Sequence, residues 1–253
     1  MIHFVGAGPG APDLITVRGQ KLLQEADVII YAGSLVNPAL LDAKKADCAV
    51  YNSAHMTLEE VLDVMKKAEA AGKMTVRLHT GDPCLYGAIR EQMDALKQMD
   101  IVYDICPGVS AFCGAASALE LEYTLPGVSQ TVIISRTAGR TPVPEKESIP
   151  ELAKHQATMV LFLSTGHLPK LQKELLEGGY AADTPAAICY KATWPEEEAY
   201  VCTIDTLVET ARKHQITKTA LILVGNVVTH SHYERSKLYD PGFTTEFRKG
   251  SDS

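Results

Sequence analysis

The chain has 253 residues, 46% of them hydrophobic, enough for one large or two modest domains with proper cores. Its formal net charge of -7 argues against a nucleic-acid partner, because phosphate neutralisation needs concentrated Lys and Arg. No apolar run reaches the ~18 residues of a membrane span and the N-terminus carries no signal-peptide pattern, so no membrane partner and a cytoplasmic location are expected.

Ile2 to Val5 is a short apolar strand running into Gly6-Ala7-Gly8-Pro9-Gly10-Ala11-Pro12-Asp13. A strand, a glycine turn and a helix are what a dinucleotide pyrophosphate site requires, but Pro9 and Pro12 remove amide donors from the loop. The next strand, Asp27 to Tyr31, ends in Ala32-Gly33 with no acid for a ribose. The loop therefore suits a ligand without phosphates, with a purely structural turn as the alternative. Thr16 to Glu25 has helix-forming composition, with Val17, Leu22 and Leu23 available for packing. Cys48 to Tyr51 is a shorter strand, and Thr57-Leu58-Glu59-Glu60 has capping-box spacing ahead of a helix that runs to about Gly72. Leu58, Val61, Leu62, Met65 and Ala68 share one face of that helix.

Val76-Arg77-Leu78 reads as a buried strand that breaks at Thr80-Gly81. Gly81 opens backbone angles closed to other residues and Pro83 fixes its own, so the loop is expected to be rigid, with an exposed tip. A helix is expected from about Tyr86, carrying Ile89, Met93 and Leu96. Val102 to Cys106 is the fifth strand-like run and stops at Pro107-Gly108-Val109-Ser110-Ala111, where small residues open another helix. Strands alternating with helices imply a largely parallel sheet covered on both faces. Three strands ending in glycine loops favour a binding edge over three structural turns.

Glu122 to Gly127 reads as a linker. A second alternating series follows, with strands at Thr131 to Ser135, Thr158 to Leu163, Pro185 to Tyr190, Tyr200 to Ile204 and Thr219 to Val224. Helices are expected near Ile149 to His155, Leu168 to Glu177 and Asp205 to His214. Lys191 to Ala199 is too short for a helical crossover, so the strands on either side of it are expected to be antiparallel neighbours. The fold class is α/β: two unequal domains, the N-terminal sheet mostly parallel and the C-terminal sheet mixed, with the active-site cleft between them. The expected divisions are 1–120, a linker at 121–128, 129–230 and a polar tail at 231–253, mobile from Gly250. The six cysteines form no Cys-x-x-Cys pair and read as reduced, mostly buried thiols. Histidines are scattered and His230-Ser231-His232 reads as solvated, so no metal site is expected.

Val5-Gly6-Ala7-Gly8-Pro9-Gly10, Arg77-Leu78-His79-Thr80-Gly81-Asp82-Pro83 and Pro107-Gly108-Val109-Ser110-Ala111, in that order, resemble the tetrapyrrole methylases that use S-adenosylmethionine. The similarity covers roughly residues 1 to 228. Within the family, three further stretches are most similar to the precorrin-4 C11-methyltransferases of cobalamin biosynthesis: Tyr31-Ala32-Gly33-Ser34-Leu35-Val36, Ser135 through Pro144, and Tyr190-Lys191-Ala192-Thr193-Trp194-Pro195. The related uroporphyrinogen methyltransferases carry an Asp where Ala32 stands, and their basic residue beyond the third strand has no clear match near Asn52-Ser53. That makes the early-pathway enzyme the runner-up.

The resemblance implies a cofactor, S-adenosylmethionine, with S-adenosylhomocysteine as product. It implies that Pro9 shapes the floor of its site, that Thr80, Gly81, Asp82 and Leu85 surround the methionine and ribose, and that Ser110 and Ala111 add backbone and hydroxyl contacts. Leu163, Ala192 and Ala220 would line the adenine side, Leu163 standing where other members often have Met. It also implies a homodimer. The sulfonium is already an electrophile, so no catalytic acid, base or nucleophile is nominated. An anionic tetrapyrrole substrate needs charge-assisted partners, for which Arg136 and Arg140 are the first candidates, followed by His79 and Lys191. The alternatives are a nucleotide-binding sensor that catalyses nothing, and a methyltransferase acting on another corrin carbon, a protein or RNA.

Overall fold

The strands of the first half fall on the apolar runs. The computed structural model describes residues 1–229 and 232–251, apart from the side chain of Ser34. His230 and Ser231, expected to be solvated, and Asp252 and Ser253, at the end expected to be mobile, lie outside the described residues. The chain divides into two compact units, the first made of Met1–Ala115 and Lys191–Glu197, the second of the rest.

In the first unit β1 (Ile2–Gly6), β2 (Val28–Tyr31), β3 (Ala49–Asn52), β4 (Thr75–His79) and β5 (Tyr103–Cys106) form a parallel sheet in the order β3-β2-β4-β1-β5. The period-two pleat sends Ile2 and Phe4 to one face and Val5 to the other. On the first face they meet Val61, Leu62 and Met65 of α2 (Leu58–Ala70) and Met93 and Leu96 of α3 (Arg90–Gln98). On the second, Val5, Val76 and Leu78 pack against Leu23 of α1 (Val17–Glu25). β1 and β4 are buried along their whole lengths, as parallel strands covered on both sides must be.

The local signals for helix starts hold at two sites. The Thr16 hydroxyl accepts from Gly19 N–H at 3.1 Å, and both bonds of the Thr57–Glu60 capping box form. Three expectations change. Val17 is 71% exposed, because the apolar face of α1 is carried by Leu23. α3 begins at Arg90 rather than near Tyr86, since Tyr86 and Ala88 hold φ of +56° and +49°, which no helix continues. Only Cys106 and Cys189 of the six free thiols are buried, and Cys84 and Cys113 are exposed.

In the second unit β6 (Val132–Arg136), β7 (Thr158–Phe162), β8 (Pro185–Tyr190), β9 (Glu198–Thr203) and β10 (Ala220–Val224) form a sheet in the order β6-β7-β10-β8-β9. Only β6 and β7 pair in parallel, and β8 and β9 are antiparallel neighbours as their short connection requires. Met159, Leu161, Ile188 and Ile222 on one face pack against Leu171 and Leu175 of α6 (Leu168–Glu177) and Leu207 of α7 (Leu207–Lys213). Two further helices complete the set, α4 (Ala111–Ala118) after β5 and α5 (Ile149–Ala153) ahead of β7. No helix among the described residues is long and apolar enough to cross a membrane.

Candidate functional site

β4, β1 and β5 are adjacent and parallel, so the loops that follow them leave the same edge of the sheet. Their backbones touch. Ala7 N–H donates to the His79 carbonyl at 2.7 Å, and Gly8 and Gly81 exchange two bonds of 3.2 and 2.8 Å. A Cβ on Gly108 would lie 2.2 Å from the Gly81 carbonyl oxygen and 2.7 Å from the Gly6 Cα, so only glycine permits this approach. Glycine at these positions is thus required by loop-to-loop contact as well as by turn geometry.

Asp82 locks the assembly. One carboxylate oxygen accepts from Cys84 N–H and the other from Gly108 N–H, each at 2.8 Å, joining the second loop to the third. Burial alone would raise this carboxyl, but the hydrogen bonds from Cys84 and Gly108 outweigh it and hold Asp82 below the ordinary carboxylate range.

A fourth segment joins from far along the chain. Residues 191–197 fold back into the first unit, with Lys191 and Thr193 at φ of +45° and +67°. Ala11 N–H donates to the Thr193 hydroxyl at 2.9 Å, and a Cβ on Gly10 would fall 2.1 Å from Trp194 Cδ1. Of this segment the sequence nominates Lys191 and Ala192 as site residues; Thr193 and Trp194, which make the contact, stand in the same family-like stretch but received no role from it.

Eight of the proposed donor contacts therefore lie on four converging segments of one unit: Pro9, Gly81, Ser110 and Ala192 are buried, and Thr80, Asp82, Leu85 and Ala111 half-buried. Leu163 and Ala220 belong to the second unit. Leu163 is 62% exposed at φ +52°, a large apolar side chain held outward by a backbone that L-residues rarely adopt. Ala220 is buried in the core cluster of its sheet, and its carbonyl accepts from the Thr165 hydroxyl at 3.0 Å.

The basic candidates separate into three environments. In the second unit, Arg136 donates to the carbonyls of Thr141 and Pro142 at 3.2 and 2.7 Å, holding its own loop, while Arg140 is exposed on that loop. Lys170 Nζ donates to the Ala138 carbonyl at 2.6 Å, and the His167 ring lies where a Cβ on Gly139 would go. The start of α6 thus brings two more basic side chains to the same loop. Neither is legible from local sequence, because they lie more than twenty-five residues further along the chain. Lys191 is engaged within its own segment, 3.5 Å from Glu196 and 5.0 Å above the Trp194 ring. His79 is corrected: it is 3% exposed and stacks on Phe4, and burial together with the nearby Arg77 charge pushes its pKa down to about 3. A ring held neutral supplies no charge-assisted bond to an anionic substrate.

Among the described residues no group of three or more His, Cys, Asp or Glu is placed to hold a metal ion.

The sequence profile of the family Tetrapyrrole (Corrin/Porphyrin) Methylases matches residues 1–208. The cobalt-precorrin-4 C(11)-methyltransferase of Methanocaldococcus jannaschii is 54% identical over 248 residues, 98% of this chain and 96% of the relative. The precorrin-4 C(11)-methyltransferase of Pseudomonas aeruginosa is 43% identical over 249 residues, 98% of this chain and 99% of the relative. Among solved structures, the X-ray structure of a cobalamin biosynthetic enzyme, cobalt precorrin-4 methyltransferase, superposes with a TM-score of 0.88 at 48% identity, covering 90% of this chain and 95% of that one.

Proposed function

The chain belongs to the tetrapyrrole (corrin/porphyrin) methylases, and from that membership we propose that it methylates C-11 of precorrin-4 in cobalamin biosynthesis, using S-adenosylmethionine. The cobalt-bound substrate is the expected form, because the relative at 54% identity is named for it and the one at 43% for precorrin-4.

The observation that carries the reading is the charge of the converging loops. Gly6–Asp13, Thr80–Gly87 and Pro107–Ala111 contain no Lys or Arg, and their charged residues are Asp13 and Asp82, the latter kept ionised; the fourth segment adds Lys191, which lies 3.5 Å from Glu196, together with Glu197. Such a lining repels phosphate and suits a donor whose sulfonium and ammonium groups are positive. When bound, the donor supplies an electrophilic methyl group, so attack by an electron-rich ring carbon asks chiefly for alignment and exclusion of water.

The residues divide that work. Pro9, Gly81, Ser110 and Ala111 shape the floor and leave backbone groups for the methionine and ribose, with Thr80 and Leu85 beside them. Asp82 fixes the spacing of two loops, and its charge favours the cationic donor. Ala192 provides apolar surface for the adenine; the resemblance assigns the same role to Leu163 and Ala220 of the second unit, of which Leu163 is exposed and Ala220 lies in the core of its sheet. Arg136 and Arg140, with Lys170 and His167 beside their loop, meet the acetate and propionate groups of the tetrapyrrole. A two-fold dimer in the cytoplasm belongs to the same reading, and sedimentation equilibrium tests the dimer.

The deciding experiment is single-turnover mass spectrometry with methyl-labelled S-adenosylmethionine and precorrin-4, in metal-free and cobalt forms. One label at C-11 is expected, faster with the cobalt form. No transfer to either form despite demonstrated donor binding refutes the substrate assignment and leaves the donor site intact.

A further inference from the structure

One peptide group of the glycine loop is held at both ends by residues from elsewhere in the chain. The Gly10 carbonyl accepts from Asn37 Nδ2, and the Ala11 N–H donates to the Thr193 hydroxyl, each at 2.9 Å. Both atoms belong to the planar Gly10–Ala11 peptide, so the two bonds grip one rigid plate by opposite edges. Asn37 stands 27 residues beyond Gly10 and Thr193 stands 182 beyond Ala11.

The plate needs outside support. A peptide beside a glycine turns at little steric cost, and Pro9 and Pro12 bring no amide of their own to steady it. Asn37 is suited to the task. It is 9% exposed, and its Oδ1 accepts from Ala39 N–H at 3.1 Å, which sets the amide so that its NH₂ faces Gly10. Thr193 is braced as firmly. Its φ of +67° is one that a β-branched residue adopts only when its surroundings impose it, and its N–H donates to Glu197 Oε2 at 2.5 Å. A Cβ on Gly114 of α4 would lie 2.8 Å from Pro9 Cβ and 3.1 Å from Thr193 Cγ2, so Pro9 and Thr193 meet over that glycine.

We propose that Asn37 and Thr193 are positioning residues for the methyl donor: they clamp the Gly10–Ala11 peptide and through it hold Pro9, the floor of the donor site, without touching the donor. A buried amide and the hydroxyl of a strained residue are both spent on one peptide, more than a surface turn asks for. The role rests on the donor-site reading given above; the clamp itself does not.

The test uses Asn37→Ser and Thr193→Val in the full chain, singly and together, with S-adenosylhomocysteine as the probe. Ser keeps an oxygen for Ala39 N–H but is too short to reach Gly10, and Val removes the acceptor for Ala11. By calorimetry each single variant should bind the probe roughly three- to ten-fold more weakly. The double variant should bind no worse than the weaker single one, because one freed edge already lets the plate turn. In turnover the KM for S-adenosylmethionine should rise by the same factor, with kcat and the tetrapyrrole KM unchanged, and Thr193→Ser should restore it. Hydrogen exchange at the Ala11 amide, followed by NMR relative to the amides of β1, gives a signature that lost stability would not. Asn37→Ser should speed it, although Asn37 bonds only the Gly10 carbonyl. Unchanged probe affinity in both single variants, or unchanged Ala11 exchange in Asn37→Ser, overturns the proposal. So does a double variant whose loss is the product of the single losses, since the two bonds would then act independently. Should Thr193→Val fail to fold, Asn37→Ser carries both readouts. Should wild type bind no S-adenosylhomocysteine, the donor-site reading falls and Ala11 exchange still decides the clamp.

Discussion

Replacing His79 by Leu should flatten the acid limb of the protein's stability. The folded ring titrates at about 3 against an ordinary 6.5, because it is buried beside Arg77. Between those values the unfolded chain binds a proton that the folded chain refuses, so stability rises with pH through the window and is lost as pH falls. Each pH unit well inside it is worth about 1.4 kcal/mol. Going from about pH 7 to about pH 5 therefore costs wild type about 2 kcal/mol through this residue alone, and the full loss, approached near pH 3, is about 5 kcal/mol. For a chain of this size, 2 kcal/mol is a fall of roughly 4–8 °C in melting temperature. The assay is urea unfolding of wild type and His79→Leu at both pH values. The difference of differences cancels every other titrating group that the substitution leaves alone. Leu should make the variant less pH-sensitive by about 2 kcal/mol, whatever its stability at neutral pH. Equal pH dependence in the two proteins would show that the ring is protonated in the folded state, and would refute the account of His79 as a neutral core residue.

The contact geometry yields three more predictions. Gly108→Ala drives a methyl group into the Gly81 carbonyl and the Gly6 backbone; it should cost about 1–3 kcal/mol and weaken S-adenosylmethionine binding at least ten-fold by calorimetry. Trp194→Ala removes the ring that covers Gly10, so it should lower stability by about 2 kcal/mol and raise the KM for the methyl donor several-fold. Thr16→Ala deletes the acceptor for Gly19 N–H; a loss of about 1 kcal/mol in urea, with kcat unchanged, is expected of a helix cap that contributes no group to the donor site.

What could be read from local sequence is what local physics decides. The period-two and helical patterns placed nearly every strand and helix, because burial of one face is imposed residue by residue along an element. Thr57 and Glu60 announced their capping box, since both partners lie within one turn. Gly6, Gly81 and Gly108 could be picked out at strand ends as breaks in apolar runs. The reason they must be glycine, the packing of one loop's backbone on another's, involves residues as far apart as Gly6 and Gly108 and appears only in the folded chain. The late start of α3 escaped the sequence because Tyr86 and Ala88 adopt a left-handed backbone that their side chains do not signal.

Charge states were the part that only tertiary structure could decide. In sequence Arg77 is one polar residue within a strand and His79 a basic residue beside a loop; whether either is hydrated depends on Phe4, Ile30 and Gln92, brought there by other elements. Desolvation is a property of everything within a few ångströms, irrespective of chain position, and it leaves Arg77 charged and His79 neutral. The return of Trp194 to Gly10 is of the same kind: more than 180 residues separate the two, and the contact exists because tertiary packing closes that distance. Sequence alone determined the α/β alternation, the glycine edge and the family resemblance, since each is written in neighbouring residues. The side chains that meet there, and the charges they keep, were settled by packing between segments distant in the chain.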